Sequence, residues 1–427
     1  MSVCAYADRL NPRADVGGTL GEREVEHAPD VVETRARALA ALLRASAESE
    51  RARDGRTRWG CVAHTGAGIS RAAGLPDFRG PDGIWTRRAL GLPPLASEAT
   101  LALAAPTATH QILRALVEAG YVRCVVSCNV DCLHLKGGLA REKLCELHGN
   151  VFAERCERCG SEYVRDFEMK TVGFKLTGRS CVVKGCGGRL RDQVLDWEDA
   201  LPEAELKQAE RESVNACVSI CLGTSLQITP ACNIPIKTKR KRRMPKNPEH
   251  NYVEDVRGKL VIVNLQPTNK DKMADMVIHA PCDKVMRLVA THLDLRIPPY
   301  ERVDRVRVSH SCRANCSGSG FTFTLRIFNI HDENAPLPWL DQVVVDFKST
   351  DPKMDSATLV KEPFKVKRVW NGDADNESIS ARLTFHFSRE CTEAPCVEAY
   401  EVRYDSRGTF EDFSFVTMRR TYEDDAR

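Results

Sequence analysis

The sequence predicts an α/β protein with a Rossmann-like parallel sheet, a small inserted zinc module and a C-terminal all-β domain. Three observations support this fold class. Short buried strands alternate with helical segments over the first 295 residues, which is typical of a parallel sheet covered on both faces. Four cysteines and several glycines interrupt that alternation between two strands. Beyond residue 305, β-rich segments follow one another with Asn, Asp and Gly turns between them.

The composition excludes a disordered, collagenous or coiled-coil chain. The 427 residues are 42% hydrophobic and 28% charged, and a chain of this length is expected to form two or three domains. No apolar run has the roughly 18 residues of a membrane helix, and Met1–Arg13 lacks the apolar core of a secretory signal. We therefore expect an intracellular protein whose 18 cysteines are mostly reduced. Because the net charge is only +3, any attraction to nucleic acid must come from a local patch.

The N-terminal half contains the elements of a nucleotide-binding unit. Residues 1–57 form an extension in which Val31–Glu48 has the periodicity of an amphipathic helix. The buried strand Cys61–Thr65 leads into the turn Gly66-Ala67-Gly68, where backbone N–H groups could approach a pyrophosphate, although such turns are common. The same reasoning predicts these further strands and helices: Arg123–Ser127, Ala216–Leu222, Lys259–Asn264, Thr107–Ala119 and Asp283–Leu293.

Four cysteines between residues 156 and 186 predict a metal site. Cys156 and Cys159 enclose two residues, and Cys181 and Cys186 enclose four. Two such pairs can supply the four thiolates of a tetrahedral structural zinc site, whereas the alternative is four unrelated reduced thiols. Because protein ligands would fill every position, we expect one structural Zn²⁺ in a module at about 151–195.

Polar side chains follow the predicted strands at their carboxyl ends. Asn129 and Asp131 come after one strand, and His148 lies just before the cysteine module. Ligands of open parallel sheets bind beyond the carboxyl ends of the strands, so we expect these side chains to converge on one crevice. His148 has the intrinsic pKa of a base that works near neutrality, although a lone histidine is more often structural. Two further strand ends could bind ribose and adenine: Gly223, Thr224 and Ser225, and Asn264, Leu265 and Gln266.

Two other regions carry weaker signals. Lys237–Lys246, within a basic loop at 237–248, has seven basic residues in ten. It is either a solvated surface loop or a nuclear import signal or phosphate-contacting patch, and these alternatives are compatible. Residues 305–420 are predicted to form a separate β domain, stabilising or partner-binding, with no catalytic constellation; its strands are Thr322–Phe328, Gln342–Phe347, Phe364–Val369 and Ile379–Phe387.

Together these motifs closely resemble the sirtuin family over residues 30–295, and the resemblance implies a sirtuin catalytic domain at 58–295. Three segments are similar to the nuclear class IV group of sirtuins six and seven: Gly83–Thr86, Leu195–Asp199 and Leu222–Gln227. Residues 1–18, 229–233 and the β-rich tail resemble the plant members of that group. The motifs found in the family's order and spacing are Gly66–Ser70, Pro76–Arg79, Asn129–Asp131, Leu147–Asn150, the four cysteines, Gly223–Ser225 and Asn264–Leu265.

The resemblance implies NAD-dependent removal of acyl groups from protein lysines, with histone tails in the nucleus as the expected substrate. The products would be nicotinamide and O-acyl-ADP-ribose. His148 would be the general base on a ribose hydroxyl, and Asn129 and Asp131 would hold the nicotinamide end. Chromatin or DNA could be contacted through the basic loop, and no membrane is expected. The implied NAD residues are Gly66, Ala67, Gly68, Arg71, Asp77, Phe78, Arg79, Trp85, Cys128, Asn129, Asp131, His148, Gly223, Thr224, Ser225, Asn264, Leu265, Gln266 and Cys282.

One position departs from the family pattern in a way that affects activity. Cys128 stands where the family usually has Gln, and a thiol is shorter and a poor hydrogen-bond donor. Losing one such contact to NAD would cost about 1–3 kcal/mol, so we expect a slow enzyme. Two alternatives to deacylation stay open. One is mono-ADP-ribosyl transfer to protein at the same site, and the other is a weakly catalytic chromatin module that binds NAD or ADP-ribose.

Overall fold

The computed structural model describes residues 6–13, 15–51, 60–95, 100–239, 258–314, 320–348, 353–370, 379–388, 396–402 and 410–422. The chain separates into two compact units. One contains Met1–Val164, Glu168–Tyr300 and Tyr422–Arg427, and the other contains Arg165–Phe167 and Glu301–Thr421. None of the described helices has the length and apolar character needed to cross a bilayer.

The described residues of the first unit form the six α-helices and ten strands that are named below, apart from shorter 3-10 helices. The helices are α1 (Pro29–Arg51), α2 (Ile84–Ala89), α3 (Ala108–Glu118), α4 (Leu133–Lys136), α5 (Glu203–Asn215) and α6 (Cys282–His292). The strands are β1 (Cys61–Thr65), β2 (Val122–Ser127), β3 (Leu144–Glu146), β4 (Gly149–Cys156), β5 (Glu162–Val164), β6 (Leu176–Ser180), β7 (Arg189–Val194), β8 (Val218–Leu222), β9 (Lys259–Val263) and β10 (Met276–Ile278).

A parallel sheet forms the centre of this unit, in the order β10-β9-β8-β1-β2-β3. Strands β1 and β8 are buried along their whole length, which is why they are continuous apolar runs without alternation. Helices α1, α3 and α6 pack on the face that carries Cys61 and Ala63. Ala209 of α5 packs on the opposite face with Val62 and Val126. This sheet confirms the predicted Rossmann-like fold.

An antiparallel sheet in the order β5-β4-β7-β6 forms the inserted module. It begins only three residues after β3, so the module starts at the carboxyl edge of the parallel sheet. Val151 donates its backbone N–H to the Val130 carbonyl oxygen at 3.0 Å, which ties β4 to the turn after β2. The module is therefore attached directly beside the predicted crevice.

The second unit is a sandwich of two four-stranded antiparallel sheets, ordered β15-β12-β11-β18 and β14-β13-β16-β17. Phe323 and Phe347 meet edge to face between the two sheets, with ring centroids 5.7 Å apart. The four strands predicted in this region are confirmed, whereas β11, β14, β17 and β18 were not predicted. The strands are β11 (Tyr300–Ala314), β12 (Phe321–Asn329), β13 (Leu340–Lys348), β14 (Ala357–Leu359), β15 (Phe364–Trp370), β16 (Ile379–Phe387), β17 (Cys396–Val402) and β18 (Phe410–Tyr422).

Most of the predicted basic loop lies outside the described residues, which stop at Lys239 and resume at residue 258. Its first residues belong to a 3-10 helix, Pro235–Lys239. Lys237 pairs with Glu210 at 2.5 Å, and Lys239 pairs with Asp275 at 2.7 Å. The first two cations of the basic run are therefore engaged in ion pairs within the protein.

Candidate functional site

A cavity of about 860 Å³ lies at the carboxyl ends of β1, β2, β8 and β9. This is the edge where open parallel sheets bind their ligands. Of the residues predicted to bind NAD, only Asp131 is absent from the cavity wall. The structure brings the others together: Gly66, Ala67, Gly68, Arg71, Asp77, Phe78, Arg79, Trp85, Cys128, Asn129, His148, Gly223, Thr224, Ser225, Asn264, Leu265, Gln266 and Cys282.

The glycines of the turn after β1 allow it to pack tightly on the turn after β8. A Cβ on Gly66 would lie 2.7 Å from the Gly223 carbonyl oxygen, and one on Gly68 would lie 2.8 Å from the Gly223 Cα. The N–H groups of Gly66 and Gly68 donate to the carbonyl oxygens of Leu222 and Gly223, at 3.1 and 2.9 Å. Backbone contacts therefore already use the N–H groups of Gly66 and Gly68, and the predicted approach of this turn to a pyrophosphate stays a prediction. The segment that follows is a 3-10 helix, Ala67–Ala73.

His148 is held on the cavity wall in a form suited to accept a proton. Its Nδ1 lies 3.1 Å from the backbone carbonyl oxygen of Cys128, so Nδ1 carries the proton and Nε2 is the basic nitrogen. Burial lowers the pKa of His148, and the positive charge of Arg79 acts in the same direction, against the opposing effect of the hydrogen bond to Cys128. The imidazole is therefore neutral at pH 7, which a general base requires.

Asp131 lies behind the cavity wall and supports it through Ser70. Its carboxylate accepts hydrogen bonds from the Ser70 hydroxyl at 2.6 Å and from the Leu133 backbone N–H at 3.0 Å. The Asn129 amide in turn donates to Ser70 Oγ and to the Gly66 carbonyl oxygen, both at 3.2 Å. This chain of hydrogen bonds fixes the Asn129 side chain on the wall. Asp131 is thus linked to Asn129 through Ser70, and its predicted contact with the nicotinamide end stays a prediction.

Three aromatic rings form one continuous part of the wall. Phe78 and Trp85 stack with ring centroids 5.7 Å apart, and Trp85 meets Trp197 at 5.4 Å. Trp197 lines the cavity but was not among the predicted site residues. Trp197 belongs to Leu195–Asp199, one of the segments that resemble the class IV sirtuins, and this was the signal that could have identified it. The three rings give the cavity an apolar part of its wall, in addition to the polar strand ends.

The N-terminal extension also contributes to the cavity, which the sequence did not indicate. Tyr6, Leu10, Thr19 and Glu22 line the wall. The Arg79 guanidinium donates to the backbone carbonyl oxygens of residues 16 and 17, at 2.9 and 3.1 Å. Because these contacts use the main chain of the extension, no pattern of side chains in the sequence predicts them.

A carboxylate of the same extension neutralises a cation of the site. Glu24 Oε1 accepts a hydrogen bond from the Arg71 guanidinium at 2.5 Å and another from the Gln266 amide at 3.1 Å. Arg71 also lies 3.7 Å from the carboxylate of Asp77. The Arg71 side chain is therefore held between two acids at one end of the cavity.

The four predicted cysteine ligands form one compact cluster in the module. The Sγ atoms of Cys156 and Cys186 are 3.6 Å apart, as are those of Cys159 and Cys181, and all four sulfurs lie within 4.8 Å of one another. Tetrahedral zinc with Zn–S bonds of about 2.3 Å requires sulfur–sulfur distances of about 3.8 Å, so the cluster fits a structural zinc ion. Gly188 is required beside it, since a Cβ there would lie 2.5 Å from Cys156 Sγ.

Comparison with known proteins places this site in a family. Residues 94–230 match the sequence model of the Sir2 family. The chain is 42% identical to "NAD-dependent protein deacetylase SRT1" of Oryza sativa subsp. indica, over 90% of this chain and 73% of that protein. It is 40% identical to "NAD-dependent protein deacetylase Sirt6" of Drosophila melanogaster, over 70% of this chain and 87% of that protein.

A solved structure described as "Sir2-p53 peptide-NAD+" aligns with 54% of this chain and 92% of its own length. The identity is 28% and the TM-score is 0.39, which is too low to add to the sequence comparison. The relatives that share 40% or more of their residues with most of this chain are sufficient by themselves. The chain belongs to the Sir2 family, the sirtuins.

Proposed function

We propose that the protein is an NAD-dependent protein-lysine deacylase. The observation that carries the proposal is the placement of His148, whose imidazole is neutral and fixed by the Cys128 carbonyl on the wall of the cavity. The relatives named as NAD-dependent protein deacetylases support the same reaction class. This reaction needs a general base beside a cavity of nucleotide size. Both lie at one edge of the sheet, together with an aromatic wall.

The residues of the wall fit a dinucleotide. The side chains of Asn264 and Gln266 offer amides, and Thr224 and Ser225 offer hydroxyls, which suits a ligand rich in hydroxyl and amide groups. When bound, NAD supplies a ribose carbon from which nicotinamide can leave. His148 Nε2 is the protein atom placed to remove a proton from a sugar hydroxyl. Asn129, fixed through Ser70 and Asp131, orients the ligand beside it.

The proposed substrate is an acylated lysine of a histone tail, and the proposed location is the nucleus. Two features support this assignment. The basic run Lys237–Lys246 has the composition of an import signal, and the motifs shared with class IV sirtuins point to chromatin. Deacylation is favoured over transfer of ADP-ribose to protein because of His148. A base on the ribose hydroxyl serves the acyl transfer, whereas ADP-ribosyl transfer does not need it.

Mass spectrometry of an acetylated histone peptide tests the proposal. Incubation with the protein and NAD should remove the acetyl mass from the peptide and produce O-acetyl-ADP-ribose, and incubation without NAD should do neither. With radiolabelled NAD, the label should appear in free acetyl-ADP-ribose. Label bound to protein, with the peptide unchanged, would identify an ADP-ribosyltransferase instead. NAD that binds without being consumed would identify a binding module.

Replacing Cys128 by glutamine should make the enzyme faster. Burial raises the pKa of the Cys128 thiol to about 12, so it is neutral and a poor donor on the cavity wall. A glutamine amide there would add a hydrogen bond to the ribose worth about 1–3 kcal/mol, which corresponds to a rise of about 5- to 150-fold in kcat/KM for NAD. The bond to His148 uses the backbone carbonyl and would survive the change.

Steady-state kinetics with varied NAD measures this effect. Cys128→Ala is the matched control, because it removes the thiol without adding a hydrogen-bond donor, and it should not raise kcat/KM above the wild-type value. If Cys128→Gln neither raises kcat nor lowers the KM for NAD, the thiol is not what limits the enzyme.

A further inference from the structure

One face of the second unit carries a concentration of positive charge. Along β11, β12 and β15 the inward residues, such as Val306, Val308, Leu325 and Val366, are buried. The alternate residues point to the opposite, outer side of the sheet, which we name the basic face. Its described members are Glu301, Val303, Arg305, Arg307, Ser309, Ser311 and Arg313 of β11, Thr322, Thr324, Arg326 and Phe328 of β12, and Lys365, Lys367 and Val369 of β15.

These members include six cations and one acid, Glu301, at the start of β11. Arg305, Arg313, Lys365 and Lys367 are exposed, and none of the four forms an ion pair with the residues that the structure describes. Arg326 is half-buried and lies 3.5 Å from the exposed Glu333. The described part of the face therefore keeps a positive excess, which the four exposed cations carry.

The strand register brings like charges together. Arg326 lies directly opposite Lys365 on the neighbouring strand, and Thr324 lies opposite Lys367. Like charges in directly opposite positions destabilise a sheet. Sequences break such local rules mainly where function requires it, and the exposed Lys365 is the member of this pair that an external anion can reach.

The residues described on the outer face of β13 and β16, in the other sheet of this unit, lack this excess. On its outer face Asp346 lies opposite Arg382, and Gln342 lies opposite His386. Charges of opposite sign in these positions stabilise the pairing of the strands. The positive excess is therefore a property of one face and not of the whole unit.

The chemistry of the basic face indicates which polyanion it fits. The hydroxyls of Thr322, Thr324 and Ser311 lie among the cations and can donate to phosphate oxygens. The aromatic ring described on this face, Phe328, is 9% exposed and lies beneath the Arg307 guanidinium at 5.5 Å. No described ring is open for stacking, and proteins that bind single strands depend on such rings. The contacts available are to a phosphate backbone.

We propose that the basic face binds the phosphate backbone of duplex DNA without reading its sequence. Duplex DNA has the highest regular density of phosphates that a flat face can meet, about one charge per 1.7 Å of its axis. The binding does not depend on NAD or on the cavity of the first unit. It can therefore be tested whether or not the protein is a deacylase.

Fluorescence anisotropy of the full chain with a labelled duplex of about 20 base pairs tests the proposal at several salt concentrations. The test variant is Lys365→Ser with Lys367→Ser. The matched control is Lys348→Ser with Arg382→Ser, which removes the same two charges from the other sheet. The test variant should bind at least about 5-fold more weakly and reduce the slope of log K against log salt by about 2. The control should stay within about 2-fold of the wild type.

Several outcomes would overturn the proposal. In one, the wild-type protein does not bind the duplex, and in another the test and control variants lose equal amounts of affinity. Unchanged binding by the test variant is a third, and it would direct attention to Lys237–Lys246 as the DNA contact. Tighter binding to a single strand, or binding to vesicles of anionic phospholipid but not to DNA, would also overturn it. Misfolding is checked by thermal unfolding. Removing Lys365 relieves its repulsion with Arg326, so the unfolding temperature should not fall.

Discussion

Replacing His148 by alanine should lower kcat/KM for deacylation by about 100- to 10,000-fold, the usual contribution of a general base. The structure gives the reason, because the Cys128 carbonyl fixes the Nδ1 proton and leaves Nε2 as the basic atom on the cavity wall. NAD should still bind, since the rest of the wall is unchanged. The measurements are the rate of peptide deacetylation and, separately, the affinity for NAD by calorimetry.

The control for this substitution is His292→Gln. His292 lies in α6, pairs with Glu33 at 2.8 Å and is not among the cavity-lining residues. Its replacement should leave the rate unchanged. Free imidazole added to the His148→Ala protein should restore part of the lost activity if the missing group is a base. A His148→Ala protein that deacylates at the wild-type rate would remove His148 from the reaction.

The elements of the first unit that could be predicted are those that a nearby stretch of the sequence determines without contacts from distant segments. Cys61–Thr65 was predicted with both of its ends, because a strand buried on both faces must be apolar throughout and its glycine turn marks the end. The cysteine cluster was predicted because zinc imposes its geometry on residue spacing. Such features are encoded in local sequence patterns, within a few residues for the strand and within about thirty for the cysteines.

The features that escaped prediction depend on contacts between distant segments. The hydrogen bond between Asp131 and Ser70, which links Asp131 to the Asn129 side chain, was not predicted, because it depends on the packing of the turn after β2 against the segment after β1. Arg79 is held by main-chain carbonyls of the N-terminal extension, which any side chain could provide. Strand β18 was not predicted because it is completed by pairing with β11, far away along the chain. Strand β17 was also not predicted, although it pairs with β16, the strand that precedes it.

Replacing Cys156 by serine should remove zinc from the protein and abolish activity. The four sulfurs form a closed set, and a hydroxyl is a much poorer zinc ligand than a thiolate. Zinc contributes about 10–16 kcal/mol to the folding of small zinc domains, which is comparable to the usual 5–15 kcal/mol stability of a whole domain. Metal content should fall from one zinc per chain to nearly none, and the midpoint of thermal unfolding should fall with it.

The loss of zinc should also impair the active site, because the zinc module and the cavity wall are connected through β4. Cys156 ends this strand, and near its start Val151 donates a hydrogen bond to Val130, between Asn129 and Asp131. Without zinc the end of β4 is no longer held, so the Asn129 turn loses a support. Cys217→Ser, at a cysteine outside the cluster, should keep both zinc and activity. If Cys156→Ser loses zinc and still deacylates at the wild-type rate, the zinc module does not support the cavity, and β4 transmits nothing from one to the other.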